Sequence, residues 1–275
     1  MSTNVTSAMA IDKARGEGRS SLITYLPVGF PSVEGSVAAA KAAISEGTDV
    51  VELGLPYTDP MMDGGTIQQA VEHALGRSTR VADVLRAVEQ VAETGAAVLA
   101  MTYWNPIFRY GVDRWARDFA AAGGAGLITP DIIPEEAQDW IAASDEHGLD
   151  RVFLVAPSST PERLKLTAEA SRGFVYAAST MGVTGERASV GALAEKLVSD
   201  TRAAGAQRVC LGLGVSTADQ AREIAQYSDG VIVGSAYVRA MLETADASGS
   251  FDVARAAAAA GEVSANLRAG IEAAR

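Results

Sequence analysis

Two acidic residues stand out because their surroundings differ so sharply. Glu52 lies inside an apolar run beside Val50, Val51 and Leu53, and Asp63 follows eleven residues later, directly before two glycines. Burying an unpaired carboxylate costs several kcal/mol, so an acid in such a run is either paired or used in chemistry. Two acids held in different environments suit general acid–base catalysis, with apolar neighbours keeping one of them protonated near neutral pH. We therefore take Glu52 and Asp63 as candidate catalytic residues.

Each acid also has an ordinary structural explanation. Glu52 could be an inward-facing acid paired with an arginine, although few arginines lie near the ends of the predicted strands. Asp63 could be a turn residue before Gly64 and Gly65, as we expect of Asp59, which precedes a proline. The residue types alone leave both explanations open.

Other catalytic chemistries find less support. His73 and His147 have no cluster of metal-ligating residues at ligand spacing, so we expect both to be structural and predict no metal site. The single cysteine, Cys210, lies in an apolar run typical of a core thiol and excludes an internal disulfide. A Schiff-base lysine would need to project from a strand, and none of the four lysines is predicted on one. They are Lys13, Lys41, Lys165 and Lys196.

Glycines recur where three late strands are predicted to end. Gly212 and Gly214 close one run, Gly234 and Ser235 close another, and the sequence Gly-Val-Thr-Gly (182–185) follows a third. Backbone N–H groups in barrel loops of this kind, at helix N-termini, recurrently bind phosphate. The alternative is that the glycines only permit tight turns. Three such turns at one end of the fold favour a phosphate-binding site.

The elements that must position these residues alternate regularly along the chain. The eight strand-like runs are 21–31, 49–55, 96–103, 124–130, 151–157, 173–179, 208–214 and 229–235. The helix-like runs between and after them are 32–47, 66–76, 80–93, 112–122, 134–146, 161–171, 189–204, 216–227 and 251–273. Ser32 and Ser216 are expected to begin helices and Gly47 to end one.

Short strands that are apolar on both faces indicate a parallel sheet covered on both sides. Eight strand–helix units without a dividing linker predict one (βα)8 TIM barrel, a single domain spanning residues 1–275. A doubly wound sheet is the alternative, and it would need fewer strands or an evident boundary. In a barrel the active site lies at the carboxyl ends of the strands, where Glu52, Asp63 and the late glycines all fall.

Composition narrows the class of protein further. The 275 residues are 48% hydrophobic and 21% charged, which is typical of a soluble globular protein. A net charge of −11 lacks the basic face that nucleic-acid binding needs. No apolar run of about 18 residues and no secretory leader are present. The sequence predicts a cytoplasmic enzyme acting on a phosphorylated small molecule, with isomerases, aldol-type lyases and phosphoribosyl-type enzymes all open.

Several motifs, taken together and in order, resemble the α subunit of tryptophan synthase over residues 20 to 270. They are VELGLPYTDPMMDGGTIQQA, MTYWNPIFRYG, PDIIPEEA, GVTG, LGLGVS and VGSAYV. The resemblance implies cleavage of indole-3-glycerol phosphate to indole and glyceraldehyde 3-phosphate. It also implies an αββα complex with a β subunit that carries pyridoxal phosphate, and no cofactor in this chain.

The resemblance assigns roles residue by residue. Glu52 matches the glutamate that protonates C3 of the indole, and Asp63 matches the aspartate that holds the indole N–H. The matching substrate-pocket positions are Tyr25, Tyr103, Tyr176 and Leu213, and the matching phosphate-binding positions are Gly185, Gly214, Gly234 and Ser235.

The chain also departs from the family pattern. Gly65 replaces a proline after Asp63, Met62 stands at a position that is usually small, and Thr180 stands where many members carry arginine. The usual Asp-Leu-Pro reads Asp-Ile-Ile at 131–133. These changes concern partner contacts and loop closure. Three competing functions follow: a stand-alone lyase that releases free indole, a catalytically silent activator of a β subunit, and a phosphate-binding barrel isomerase.

Overall fold

Parallel strands form a nearly closed barrel in the computed structural model, which describes residues 5–179, 187–212 and 214–274. The nine strands of these residues are β1 (Ser21–Pro27), β2 (Val50–Gly54), β3 (Ala97–Met101), β4 (Gly126–Ile128), β5 (Asp150–Val152), β6 (Leu154–Val155), β7 (Val175–Ala178), β8 (Val209–Gly212) and β9 (Gly230–Val233). Their order in the sheet is β5-β4-β3-β2-β1-β9-β8-β7-β6.

The two edges of this sheet are halves of one predicted strand. Only Phe153 separates β5, which pairs with β4, from β6, which pairs with β7. The Tyr176 N–H donates to the Phe153 carbonyl at 3.1 Å, so the ring of strands is nearly continuous there. The predicted (βα)8 barrel is confirmed, with its fifth strand divided in two.

Helices follow the strands and cover the outside of the barrel. They are α1 (Ser7–Gly16), α2 (Val33–Ser45), α3 (Gly65–Gly76), α4 (Val81–Ala92), α5 (Trp104–Tyr110), α6 (Val112–Ala121), α7 (Gln138–Glu146), α8 (Pro161–Ala170), α9 (Arg187–Ala203), α10 (Ala218–Ala225), α11 (Ser235–Leu242) and α12 (Val253–Glu272), with a 3-10 turn at Pro134–Glu136. The sequence patterns did not predict α1 or α5. None of the described helices has the length and hydropathy that crossing a membrane requires.

Helix ends show how local sequence sets the boundaries. The Ser32 side chain accepts a hydrogen bond from the Gly35 N–H and begins α2, as expected. Gly47, with φ of 110°, follows the end of that helix in a conformation that favours glycine. The expected cap at Ser216 is wrong, because Thr217 accepts from the Gln220 N–H and begins α10 instead.

Alternate residues of each strand face different cores. On β2, Val50 belongs to the cluster inside the barrel, whereas Val51 and Leu53 pack in the larger cluster beneath the helices. Because side chains alternate along a strand, Glu52 faces the interior with Val50. The fold therefore directs this carboxylate inward, towards the carboxyl-end mouth of the barrel.

Helix α1 closes the opposite end. Its Ile11 is fully buried in the interior cluster with Ile23 and Val50. The Ser7 N–H and hydroxyl donate to the buried Asp150 carboxylate at 2.8 and 2.6 Å. An acid at the first turn of a helix also interacts favourably with the helix dipole. The carboxyl ends of the strands are thus the open end of the barrel.

Candidate active site

A cavity of about 460 Å³ opens at the carboxyl ends of the strands. Its lining includes these residues named from the sequence: Tyr25, Glu52, Asp63, Tyr176, Gly214, Gly234 and Ser235. Tyr103 lies beside Asp63, whereas Leu213 and Gly185 fall outside the described residues, as does Thr180. The structure therefore brings residues 160 or more positions apart in the chain into one site.

Glu52 forms the polar floor of the cavity. It is 0% exposed, and it pairs in register with Tyr25 on β1 and Leu99 on β3. Neither carboxylate oxygen has a hydrogen-bond partner in the described structure. Burial raises the pKa of Glu52 to about 8, because the charged form loses its hydration. The alternative of a Glu52–arginine pair is wrong.

Asp63 sits in the loop after β2 and is half-buried. The Tyr103 hydroxyl donates to its Oδ1 at 3.3 Å and accepts from the Met62 N–H at 2.9 Å. The Gln68 side chain holds the Asp63 carbonyl at 2.8 Å. Burial raises the pKa of Asp63, and the hydrogen bond from Tyr103 lowers it in part. Asp63 is thus held by side chains from two elements, as a simple turn residue would not need to be.

Two tyrosines reach into the cavity over glycines of the neighbouring strands. A side chain at Gly54 would collide with the Tyr25 hydroxyl, and one at Gly212 would collide with the Tyr176 hydroxyl. Burial raises the pKa of both phenols. Nearby acid charges add to the effect, first Asp63 and then Glu52 for Tyr25, and Glu52 for Tyr176. Gly212 therefore makes room for the Tyr176 ring. This fits a structural role for the glycine better than phosphate binding.

The late end of the cavity, next to β8 and β9, is lined mainly by backbone groups. Gly214 has φ of 64°, and Gly234 directly precedes the first turn of α11 at Ser235. The first N–H groups of a helix have no acceptor within the helix and favour anions. Tyr237 fixes this helix by hydrogen bonds to Thr24 at 2.9 Å and to Ser264 at 2.8 Å.

Several cavity residues were missed by sequence reasoning. They are Gly64, Ile67, Met101, Leu154, Ala178, Ser179 and Ile232. Most of them are inward-facing positions at strand ends, so the two-residue period of the strands would have found them once the barrel register was known. They supply the apolar walls that a flat aromatic ligand would need.

The remaining candidates have structural surroundings. The His73 Nε2 lies 3.0 Å from the Pro31 carbonyl and its ring packs edge-on against Phe30 and Phe251. Cys210 is fully buried and burial raises the pKa of its thiol, as expected for a core residue. None of the four lysines lines the cavity. In the described part of the chain, no group of His, Cys, Asp and Glu is arranged to hold a metal ion.

Exposed apolar side chains lie at one side of the cavity mouth, in the segments that follow β2, β3 and β4. Phe108 is 66% exposed, and Met61, Met62 and Ile133 are exposed as well, whereas Ile107 is core. Hydrogen bonds join the three loops that carry them: Asn105 to Tyr57 at 3.3 Å, and the Trp104 N–H to Asp131 at 2.8 Å. We call Met61, Met62, Phe108 and Ile133 the apolar rim.

The nearly closed parallel barrel, with a cavity at the carboxyl ends of its strands that contains two acids and a helix N-terminus, is typical of (βα)8-barrel enzymes. The family model described as tryptophan synthase alpha chain matches residues 11–268. The chain belongs to this family, whose members are lyases that cleave indole-3-glycerol phosphate in tryptophan biosynthesis.

Individual relatives agree with the family match. The chain is 56% identical to the tryptophan synthase alpha chain of Mycobacterium tuberculosis (strain ATCC 25618 / H37Rv), over 95% of this chain and 94% of the relative. It is 60% identical to that of Mycobacterium marinum, over 84% and 86%. The structure of Mycobacterium tuberculosis tryptophan synthase in space group F222 superposes with a TM-score of 0.85 at 53% identity, covering 98% and 99%. The alpha subunit from Legionella pneumophila str. Paris gives a TM-score of 0.87 at 29% identity, covering 98% and 99%.

Proposed function

We propose that the cavity binds indole-3-glycerol phosphate and that Glu52 and Asp63 catalyse its cleavage to indole and glyceraldehyde 3-phosphate. The observation that carries this assignment is the buried Glu52 carboxyl group, which has no partner in the described structure and a pKa of about 8. At neutral pH this group keeps its proton, as a general acid must.

The proposed steps use protein groups alone. Glu52 donates a proton to C3 of the indole, and the positive charge that develops on the ring is held by Asp63 through the indole N–H. The protonated ring then accepts the electron pair of the breaking carbon–carbon bond. The glycerol hydroxyl loses its proton to the Glu52 carboxylate, so the aldehyde forms and the acid is restored. Tyr103 keeps Asp63 in place by the 3.3 Å hydrogen bond described above.

Phosphate binding is proposed at the late end of the cavity. The N–H groups at Gly234, Ser235 and the start of α11 face a cavity that Gly214 also lines. Gly185 belongs to the same proposed site by family resemblance. Tyr25, Tyr103, Tyr176 and Leu213 are proposed to surround the rest of the substrate. The acids of β2 and its loop and the late glycines after β8 and β9 line one cavity, so a single substrate can contact both groups.

The proposed partner is a tryptophan synthase β subunit, in an αββα complex. The apolar rim offers four exposed apolar side chains at the β2–β4 side of the cavity mouth, and exposed apolar side chains grouped in this way are typical of interaction sites. We assign pyridoxal phosphate to the β subunit and no cofactor to this chain, and we propose a cytoplasmic location. We also propose that residues 1–275 form a single domain.

The first experiment measures steady-state indole release from indole-3-glycerol phosphate by the full chain, with and without β subunit. Wild type is compared with Glu52→Gln and Asp63→Asn. We expect weak activity that rises strongly with the β subunit and collapses in both variants. Wild-type activity that survives in both variants would refute the assignment of the two acids.

The same assay separates the competing functions. Robust release without a β subunit would indicate a stand-alone lyase. Activation of a β subunit without any release of indole would indicate a silent partner. No turnover of this substrate and no effect on a β subunit would leave the isomerase.

The partner surface has its own test. Phe108→Ala should weaken activation by the β subunit and leave the isolated activity unchanged, since Phe108 does not line the cavity. Leu166→Ala, which removes another exposed apolar side chain on α8, is the matched control. Equal activation of both variants would remove Phe108 from the proposed interface.

A further inference from the structure

We propose that Tyr25 is a positioning residue whose hydroxyl donates a hydrogen bond to the Glu52 carboxylate when that group loses its proton. This inference rests on the proposed function of Glu52 and adds a role for a phenol that packing alone does not explain. Its basis is the geometry around β1 and β2.

Strand register places the two residues side by side. Tyr25 on β1 is the direct partner of Glu52 on β2 in the parallel ladder. Both side chains belong to the lining of the same cavity. Tyr176 also feels the Glu52 charge, but it lies on β7, away from β2 in the sheet.

Glycines on both neighbouring strands give the Tyr25 ring its position. A side chain at Gly54, two residues after Glu52 on the same face of β2, would collide with the phenol oxygen. A Cβ at Gly234, just after β9, would lie 3.1 Å from the ring at Cδ1. The Tyr25 hydroxyl therefore lies over Gly54 on the inward face of β2, the face that also carries Glu52.

Among the described residues, Tyr25 carries a hydroxyl donor without an acceptor, and Glu52 carries acceptor oxygens without a donor. In the described structure the Tyr25 hydroxyl makes no hydrogen bond, and neither Glu52 oxygen has a partner. Asp63, the other acid near Tyr25, already accepts from the Tyr103 hydroxyl. Hydrogen bonds in active sites without ligand are often long and tighten during the reaction.

The titratable groups that face Glu52 are Tyr25 from β1, Asp63 from its loop, Tyr176 from β7 and Cys210 from β8. No described cation is among them. If the Tyr25 hydroxyl donates only to the charged Glu52 carboxylate, it stabilises the state in which Glu52 has given up its proton. Interactions that are stronger in that state than in the ground state increase the rate.

The test is Tyr25→Phe, which keeps the ring and removes the hydroxyl. Indole release is measured against pH for the full chain with β subunit present. We expect kcat to fall by about tenfold with KM little changed, as loss of a hydrogen bond to a charged group would give. The alkaline limb of the profile, set by Glu52, should move up by about one pH unit, the equivalent of the same tenfold loss.

Two variants serve as comparisons. Tyr227→Phe removes a buried hydroxyl that is far from the cavity lining, and it should leave both kcat and the pH profile unchanged. Tyr176→Phe removes the other cavity phenol. If Tyr176→Phe moves the alkaline limb and Tyr25→Phe does not, the proposal is overturned in favour of Tyr176. An unchanged profile in Tyr25→Phe overturns it as well, whatever happens to KM.

A second measurement does not depend on turnover. The pKa of Glu52 is obtained from the pH dependence of unfolding, comparing Glu52 with Glu52→Gln in the wild-type and Tyr25→Phe backgrounds. A higher Glu52 pKa in the Tyr25→Phe background supports the contact even if wild type cleaves no substrate, an outcome in which only the proposed function fails. An equal pKa in both backgrounds overturns the contact.

Discussion

Two carboxylates are buried among the described residues, one near each end of the barrel, and their surroundings differ in opposite ways. Asp150 is 1% exposed at the closed end and accepts two hydrogen bonds from Ser7 at the start of α1. Glu52 is 0% exposed at the open end and accepts none from the described protein. Burial raises the pKa of each carboxyl group, but for Asp150 the Ser7 hydrogen bonds lower it again in part.

This difference is the basis for the proposal that Asp150 is a structural acid and Glu52 a catalytic one. The partners of Asp150 satisfy the charge and tie a helix to the barrel, so its burial stabilises the fold. Glu52 accepts no hydrogen bond from the described groups that face it, so its burial lowers stability and keeps a proton available. Unsatisfied buried groups of this kind concentrate at functional sites.

The largest effect, a loss of activity, should come from removing the acidic proton of Glu52 at the open end of the barrel. Glu52→Gln should lower kcat for indole release by about 10³-fold, the scale of general acid–base catalysis. Asp150 should be untouched by this change. Steady-state kinetics check it, with Glu89→Gln on the exposed face of α4 as the control. A loss of less than tenfold would place Glu52 with the structural acids.

The same substitution should change stability in the opposite direction. An ordinary glutamate titrates near 4.5 and Glu52 near 8, so at pH 7 the unfolded chain has lost a proton that the folded protein keeps. The wild-type free energy of unfolding therefore falls as pH rises from 4.5 to 8. Glu52→Gln should be more stable by roughly 3 kcal/mol at pH 7 and nearly equal at pH 4. Denaturant melts at both pH values measure this, and a pH-independent difference would contradict the raised pKa.

At the closed end of the barrel, removing a partner of the buried acid should lower stability and leave activity unchanged. Ser7→Ala removes the hydroxyl that donates to Asp150 at 2.6 Å and should cost about 2 kcal/mol of stability, because a buried charge loses a partner. Indole release per folded molecule should not change, since Ser7 lies at the far end of the barrel. Thermal unfolding and kinetics of Ser7→Ala are compared with Ser45→Ala, an exposed serine of α2. A selective loss of activity would show that the two ends are coupled.

The smallest effect should come from the surface contact of the same helix. Asp12 of α1 forms an ion pair with Arg208, and both hydrogen bonding and charge lower the Asp12 pKa. Asp12 is largely exposed, so Asp12→Asn should cost only about 0.5 kcal/mol, and less in high salt. Chemical denaturation at two salt concentrations checks this. A cost equal to that of Ser7→Ala would mean that the surface pair holds α1 as firmly as Asp150 does.

The sequence alone predicted the barrel, the two acids and the placement of the late glycines. Glu52 could be recognised because an acid in a run of valines and leucines is unusual, and Asp63 because it adjoins Glu52 in a predicted active-site loop. The strands could be recognised because they are apolar on both faces. The family resemblance added Tyr25, Tyr103 and Tyr176, and residue types alone would have assigned Tyr176 to the core.

Other features depend on contacts that no local pattern contains. Whether Glu52 has a partner is decided by side chains from several strands. Gly212 reads as a turn or phosphate glycine, yet the structure shows it beneath the Tyr176 ring. The fifth strand is interrupted at Phe153, although the sequence there is a continuous apolar run. Helix α1 lies in the polar start of the chain, where the local sign of a helix is the N-cap at Thr6.

Helix α1 has one more consequence. Ile11 and the interior cluster fill the barrel beneath the cavity, so in the described residues the cavity opens towards the carboxyl ends of the strands and away from α1. On the proposed function, substrate and products would pass through this opening, and the apolar rim lies at its β2–β4 side. A protein docked on that rim would cover that side of the opening, next to the Asp63 loop, and so narrow the route by which molecules leave.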